Sequence, residues 1–366
     1  MKPILFNFTD AELEKFVTNL GLPRFRANQI REWLNRGAPD FSVMKNLPLD
    51  LRQKLNKIAY TLPVKIVQKL ESSDNQTTKF LLELNDCEQI ECVLMRTTYG
   101  NSVCVSSQAG CAMGCKFCAS TLLGLKRNLT INEMFAQILT AQWELRGDRF
   151  DLKEIRPNGD PNNNDVSHIV VMGTGEPLQN TENVIGFLER ANNELNISWR
   201  RITVSTCGIV PGIDALNNWG RPINLAISLH APDDNLRSQI MPINNRYKIR
   251  EILDAAFRFS DTHNRQLMIE YILLGKKNSD GETELFNATS EHAEKLSDLM
   301  RGHNVMVNLI PWNTVDERDF ASISGNAVHR FQDILIKNGI HTRIRRERGA
   351  DIGSACGQLR LKNAKR

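Results

Sequence analysis

The chain has 366 residues, of which 41% are hydrophobic and 24% are charged, and its formal net charge at neutral pH is +4. This is the composition of an ordinary globular protein with enough apolar material for a core. It contains no apolar run of about 18 residues, which argues against a membrane span. The first residues show no basic stretch followed by an apolar one, so we expect no signal peptide and a cytoplasmic location.

The eight cysteines indicate metal binding or catalysis rather than a set of structural disulfides. A cytoplasmic protein keeps its thiols reduced, so a set of structural disulfides is not expected. Metal binding or catalysis is the better explanation for so many cysteines in an intracellular chain.

Residues 1–88 predict an N-terminal helical accessory domain with a short β extension. Thr9 and Glu12 form a capping-box pattern at the start of the first helix. The run FRANQIREWLNRG predicts a second helix that stops at Gly37, and PLDLRQKLNKIA predicts a third. The runs VKIVQKL, KFLLEL and QIECVLMR then predict short strands that lead into the main domain.

From residue 100 onward, apolar strand patterns alternate with helical ones. Six runs predict strands: SVCVSS, HIVVMG, RITVST, INLAISL, LMIEYILL and VMVNLIP. The helical patterns between them, such as the one that Thr130 caps, indicate an α/β fold with a parallel sheet. Periodicity alone does not choose between an open sheet and a partial barrel. Segments 146–165 and 275–290 are rich in Asn, Asp and Gly and predict surface loops.

Cys111, Cys115 and Cys118 follow the first of these strands in the pattern C-x3-C-x2-C. A structural zinc site usually has four ligands, often from two separated pairs, so a zinc loop is the weaker alternative. A four-iron cluster normally takes four cysteines, and three leave one iron open for another ligand. This arrangement resembles the radical S-adenosylmethionine (SAM) superfamily, in which the open iron binds SAM and an electron from the cluster cleaves it to a 5′-deoxyadenosyl radical.

Polar residues also follow the later strands, where a cofactor of a parallel α/β protein is expected. Alone, each is more often a turn or capping residue than a ligand. Together with the superfamily resemblance, they predict the SAM site: Gly175, Glu176, Ser205, Ser228, Leu229, His230 and Asn313.

Five motifs together resemble the RlmN/Cfr family of radical SAM rRNA methyltransferases, and the RlmN members most. They are CVSSQAGCAMGCKFCAS, MGTGEPLQN, ISLHAP, NLIPWN and DIGSACGQL. The resemblance implies a radical SAM partial (β/α)6 barrel over residues 89–345 and a C-terminal tail over residues 346–366. The tail carries Cys356, and DIGSACGQL departs from the usual family pattern only beside that cysteine, at Gly353 and Ser354.

The resemblance assigns a role to Cys356 and to two other residues. In this family the tail cysteine takes a methyl group from one SAM, and the radical from a second SAM removes a hydrogen from that methyl. The carbon radical then adds to the adenine ring. Glu91 matches the family's proton acceptor, and Cys104 matches the thiol that releases the product by forming a disulfide with Cys356. The residues alone favour a buried strand cysteine at 104 and a surface glutamate at 91.

The resemblance further implies a 4Fe–4S cluster and two SAM molecules per turnover. The implied substrate is C2 of an adenine in the peptidyl-transferase region of 23S rRNA, together with an adenine next to the anticodon of some tRNAs. The arginines of TRIRRERG, near Cys356, are candidates for phosphate contacts. We also expect a monomer and an electron donor such as flavodoxin or ferredoxin. The alternatives are Cfr-type methylation at C8, which confers antibiotic resistance, and a non-enzymatic iron–sulfur RNA-binding protein.

Overall fold

The computed structural model describes residues 2–147, 165–345, 349–352 and 357–364. Its helices, labelled in chain order α1 to α11, are Asp10–Asn19, Phe25–Asn35, Leu49–Ile58, Ile131–Arg146, Thr181–Leu195, Val210–Trp219, Asp234–Ile240, Ile249–His263, Ser290–Met300, Gly325–Lys337 and Gln358–Ala364. The helices expected in the first 60 residues are therefore present as α1, α2 and α3.

The strands, labelled β1 to β14, are Val64–Glu71, Thr77–Leu84, Gln89–Thr97, Gly100–Cys104, Gln108–Gly110, Leu125–Asn128, Val166–Val171, Ile202–Thr206, Asn224–Ser228, Leu267–Leu273, Gly275–Lys277, Thr283–Leu285, Val305–Pro311 and His341–Ile344. Ten of them form one sheet in the order β1-β2-β3-β4-β7-β8-β9-β10-β13-β14. From β4 to β14 the neighbouring strands are parallel, and β1 to β4 pair antiparallel. The expected α/β fold with a parallel sheet and an N-terminal group of helices is confirmed.

The N-terminal helices form where the capping pattern predicted them and pack on the main domain. Glu12 N donates to the Thr9 hydroxyl, and the Glu12 carboxylate accepts the Thr9 N–H, which closes the expected capping box. The chain leaves α2 at Gly37, whose φ is +78°. A Cβ there would lie 2.8 Å from the carbonyl oxygen of Leu139 in α4, so the close approach of these two helices requires glycine.

The main sheet has one apolar face, which packs against the helices, and one polar face, which we call the inner face. Residues paired across strands lie on the same face, because the side-chain period of a strand is two. The register therefore places these residues together on the inner face: Lys79, Glu91, Cys104, Thr203, Ser205, Ser228, Glu270 and Asn308. The intervening residues, such as Val103, Ile169 and Val204, are fully buried in the core.

Two expectations for the main domain were incomplete. The sequence predicted six strands from residue 100, but β14 adds a seventh parallel strand beside β13. Its four residues include exposed ones and no apolar run, so the strand pattern is absent. Segment 275–290 is not only loop, because β11 and β12 pair as a short antiparallel hairpin. Of segment 146–165, residues 148–164 lie outside the described residues.

Within the described residues, no helix is long and apolar enough to cross a membrane. The domain limits expected at residues 88 and 345 stay predictions. The strands expected just before residue 88 belong, as β1 and β2, to the same sheet as the parallel strands.

Candidate active site

The three motif cysteines lie on one loop between β5 and β6. These two strands pair antiparallel and hold the two ends of the loop together. Gly110, the last residue of β5, has a φ of +86°, and a Cβ on it would lie 1.8 Å from the carbonyl oxygen of Gly124. Only glycine fits this position, so the residue before Cys111 is fixed by the geometry of the loop.

Three bonds attach this cysteine loop to the later part of the fold. Lys116 N donates to the carbonyl of Ile240, the last residue of α7, at 2.9 Å. The indole N–H of Trp312 donates to the carbonyl of Phe117 at 3.2 Å, and Arg318 donates to the carbonyl of Cys118 at 2.6 Å. The loop is thereby fixed to the carboxyl ends of β9 and β13, where the SAM site is expected.

The cysteine thiols of this loop are suited to a bound metal centre. Cys111 and Cys115 are more than nine-tenths buried, in an apolar cluster that includes Met113 and Trp312. Burial raises the pKa of the Cys111 thiol to about 12 and raises that of Cys115 well above its usual value. A buried thiol of this kind ionises when a metal cation replaces its proton. The described residues contain no group of three or more His, Cys, Asp or Glu arranged around a single metal ion.

Arg237 in α7 connects two strand ends beside this loop. Its guanidinium donates to the carbonyls of Cys207 (2.6 Å), Ser228 (3.2 Å) and Leu229 (3.0 Å) and to Asn244 Oδ1 (3.1 Å). Arg237 is fully buried, and its positive charge partly offsets the rise in the pKa of Cys115. Arg237 was not predicted from the sequence, because an arginine in a short helix carries no signal of burial.

Glu176 follows β7, as expected, and both of its carboxylate oxygens accept backbone N–H groups. Oε1 accepts from Leu178 at 2.9 Å, and Oε2 accepts from Cys207 at 2.8 Å. Burial raises the pKa of this carboxyl, and these bonds oppose the rise. Beside it, a Cβ on Gly175 would lie 2.6 Å from the Gln108 side chain, so the turn passes tightly over β5. Glu176 therefore joins the ends of β7 and β8.

The remaining expected SAM residues lie at neighbouring strand ends. Ser205 and Ser228 bring their hydroxyl oxygens to 3.4 Å across β8 and β9. Leu229 is fully buried, and Asn313 is half-buried just after β13.

His230 is held tightly in the next position. It is 5% exposed and has a φ of +62°, and its Nδ1 accepts the N–H of Ile272 at 3.0 Å. The ring of Phe117, from the cysteine loop, meets the imidazole edge-on with centroids 4.9 Å apart. Burial lowers the pKa of His230 to about 3, with the Arg237 charge as a second cause, so this imidazole is neutral at physiological pH.

Glu91 and Cys104 lie together on the inner face. Val93 stands two residues after Glu91 on β3 and pairs directly with Cys104 on β4. Both Glu91 and Cys104 are buried, so the expectation of a surface glutamate from the residues alone was wrong. Cys356 itself lies outside the described residues, as do Arg346 and Arg348 of the basic segment. Its neighbour Gly357 donates to Glu91 Oε2 at 2.9 Å.

Two charged inner-face residues were missed. Lys79 forms an ion pair with Glu91 at 2.9 Å, and the Glu270 carboxylate accepts from Asn308 Nδ2 at 2.9 and 3.2 Å. Burial raises the pKa of Glu270. A signal was present for Glu270, which is the lone charge in the apolar strand β10, because charged residues are almost never fully buried unless paired. Lys79 shares β2 with a second charged residue, Glu83, and carried no such signal.

Known proteins share both parts of this architecture. Residues 4–61 match the ribosomal RNA large subunit methyltransferase N-terminal domain, and residues 105–286 match the radical SAM superfamily. A probable dual-specificity RNA methyltransferase RlmN from Clostridium acetobutylicum is 45% identical, over 97% of this chain and 96% of its own. One from Alkaliphilus oremlandii is also 45% identical, over 98% of each chain. The chain belongs to the RlmN family.

A solved structure agrees with this membership. A radical SAM methyltransferase from Sphaerobacter thermophilus is 39% identical, covers 97% of this chain and 98% of its own, and superimposes with a TM-score of 0.79. The RlmN family resemblance drawn from the motifs is confirmed, as is the expectation of a SAM-dependent radical methyltransferase. The roles of individual site residues stay predictions.

Proposed function

We propose that this protein methylates C2 of an adenine in 23S rRNA, in the peptidyl-transferase region, and an adenine next to the anticodon of some tRNAs. The near full-length similarity to dual-specificity RNA methyltransferases supports the two substrate classes. One structural observation carries the residue assignment. The residue after Cys356 is bound to Glu91, on the sheet face that also presents Cys104.

In this proposal the cysteine loop and the strand ends form the cofactor site. Cys111, Cys115 and Cys118 would hold a 4Fe–4S cluster, and the chemistry that the bound cluster would supply is one-electron reduction of SAM to methionine and a 5′-deoxyadenosyl radical. The buried thiols and the fixed loop fit such a group. The SAM contacts come from the residues predicted for them: Gly175, Glu176, Ser205, Ser228, Leu229, His230 and Asn313. A flavodoxin or ferredoxin provides the electron, and the protein acts as a monomer.

The inner face supplies the groups for methyl transfer and release. The Cys356 thiolate attacks the methyl carbon of one SAM, so that S-adenosylhomocysteine leaves and the methyl group stays on Cys356, and the second SAM is consumed as the radical source. The carbon radical left on Cys356 after hydrogen removal bonds to the adenine carbon, and Glu91 takes the proton from that carbon. The one electron left on the ring would return to the oxidised cluster, so the thioether adduct has no unpaired electron. The Cys104 thiolate then attacks the sulfur of Cys356, so a disulfide bond forms as the carbon–sulfur bond breaks. The electron pair of that bond goes to the methyl carbon, which takes up a proton, and a cellular thiol later reduces the disulfide.

The basic segment around β14 fits an RNA substrate. Arg343 and Arg345 are exposed at the edge of the sheet, where they are free to contact phosphates. Reaching C2 of a stacked adenine requires the base to leave its stack. Because the proposed substrates are cytoplasmic RNAs, the proposal places the protein in the cytoplasm.

The release step gives a direct test with two cysteine variants and a control. We expect Cys104→Ala to accumulate protein covalently joined to RNA, because no second thiol breaks the carbon–sulfur bond. Cys356→Ala forms no such adduct and no methylated RNA, while Cys87→Ser, at an exposed cysteine, behaves as the wild type. Denaturing gel electrophoresis with labelled RNA and mass spectrometry of the protein detect the adduct. Absence of the adduct in Cys104→Ala, with methylation intact, contradicts the assigned roles.

A further inference from the structure

Residues 357–364 are anchored on the main sheet through one buried carboxylate. The N–H of Gly357 donates to Glu91 Oε2 at 2.9 Å, and the N–H of Arg360 donates to Glu91 Oε1 at 2.7 Å. Both oxygens of Glu91 therefore hold the backbone that follows Cys356. These bonds join positions separated by 266 and 269 residues, so they fix a chain end that would otherwise be mobile.

Lys79 supplies the charge that balances this carboxylate. Its ammonium lies 2.9 Å from Glu91 Oε2, and the two side chains are 1% and 4% exposed. Leu81 pairs with Glu91 across β2 and β3, so Lys79, two residues earlier on β2, lies on the same face. A carboxylate buried without a partner is costly. The Lys79 ammonium offsets that cost, and bonds from N–H groups to a carboxylate are stronger than bonds to a neutral acceptor.

Three further contacts seat the same segment beside the cysteine loop. Gly357 has a φ of +81°, and a Cβ on it would lie 2.6 Å from the backbone nitrogen of Ser120, two residues after Cys118. The Arg360 guanidinium binds Glu88 at 3.0 Å. Leu361 is buried in the apolar cluster that contains Cys111 and Cys115. The anchored segment therefore touches β3 on one side and the cysteine loop on the other.

We propose that Lys79 and Glu91 form a clamp that docks residues 357–364, and that Lys79 is thereby a positioning residue for the methyl carrier. The inference rests on the proposed function of Cys356. Cys356 and Gly357 share a peptide bond, so the clamp limits how far the carrier thiol reaches from the cysteine loop and from Cys104. Lys79 acts through Glu91 and the tail backbone, without contact to the reacting carbon.

The clamp also links the proposed proton transfer to movement of the tail. An ionised carboxylate offers about four acceptor positions. In Glu91, three donors occupy them: the N–H groups of Gly357 and Arg360 and the Lys79 ammonium. A proton from the adenine carbon cancels the charge that these donors share. The clamp then weakens at the step after which Cys356 must meet Cys104.

Hydrogen exchange measured by mass spectrometry on the full-length protein tests the clamp. We expect Lys79→Met to speed amide exchange in residues 357–364 by about tenfold or more, because the carboxylate that accepts from Gly357 and Arg360 then lacks its buried counter-charge. Glu91→Gln, which mimics the protonated carboxyl, gives a similar increase. Lys69→Met is the matched control and leaves this exchange unchanged, since Lys69, on the neighbouring strand β1, pairs with Glu144 of α4 and is 38% exposed.

A second variant covers the case in which Lys79→Met does not fold. The double variant Lys79→Met/Glu91→Gln leaves no unpaired buried charge, and paired replacement of buried ions is generally tolerated. If Lys79→Met or the double variant folds and residues 357–364 exchange at the wild-type rate, the proposal that Lys79 and Glu91 dock this segment is wrong. A wild-type protein that never gains a methyl group on Cys356 overturns the proposed function instead, because the exchange experiment does not depend on methylation.

Discussion

Arg237→Lys is the substitution whose cost follows most directly from the structure. The guanidinium is fully buried and reaches four acceptors, three of them carbonyls at the ends of β8 and β9. A lysine ammonium keeps the charge but places its three donors at one point, whereas arginine spreads five over a planar fork. We therefore expect about two of the four bonds to be lost. At about 1.5–3 kcal/mol for each bond to a charged group, the free energy of unfolding falls by about 3–6 kcal/mol.

Urea unfolding of the purified protein without its cluster, followed by circular dichroism, measures this loss. Arg250→Lys is the control, because Arg250 is 92% exposed and lies 3.9 Å from Asp254 in an open pair, and its midpoint should not change. A decrease below about 1 kcal/mol for Arg237→Lys would refute the reasoning, since it would mean that the carbonyls find other donors.

Two further predictions concern His230 and the cysteine loop. The pKa of His230 falls from 6.5 to about 3 on folding, so the unfolded chain takes up the proton first. As the pH falls from about 6.5 to about 4, the free energy of unfolding of the wild type should fall more steeply than that of His230→Asn. The difference should be about 1.4 kcal/mol per pH unit, measured by urea unfolding at each pH. Equal pH dependence in the two proteins would contradict this prediction. Gly110→Ala places a Cβ 1.8 Å from a backbone oxygen and should reduce the iron bound per chain after reconstitution. Gly124→Ala, with a φ of +65° but open space, controls for backbone strain and should bind more iron.

The local features of this protein were predictable from its sequence. The capping boxes at Thr9 and Thr130, the stop at Gly37 and the cysteine loop depend on residues close together in the chain, and the structure has each of them. The apolar runs also predicted the core strands, because the residues that face the helices, such as Val103, Ile169 and Val204, are hydrophobic and fully buried.

The features that were missed depend on contacts between distant residues. Lys79 lies in an apolar run typical of a buried strand, but nothing near it in the sequence reveals that Glu91 is its ion-pair partner. Nor does the sequence reveal that Glu91 accepts from the backbone at Gly357 and Arg360. β14 is a short strand with exposed residues, and it forms because its backbone pairs with the edge of β13. The assignment of Glu91 as a functional residue came from family resemblance, since its own residue pattern indicated a surface position.

The most direct test of the proposed function is mass spectrometry of adenosines after an oxygen-free reaction. Reconstituted protein is incubated with SAM, a reductant and unmodified 23S rRNA, and in parallel with tRNA. We predict 2-methyladenosine in both RNAs. 8-Methyladenosine in the rRNA would contradict the assigned position and identify Cfr-type chemistry. No methylated adenosine from protein that carries its cluster and cleaves SAM would contradict the proposed substrate.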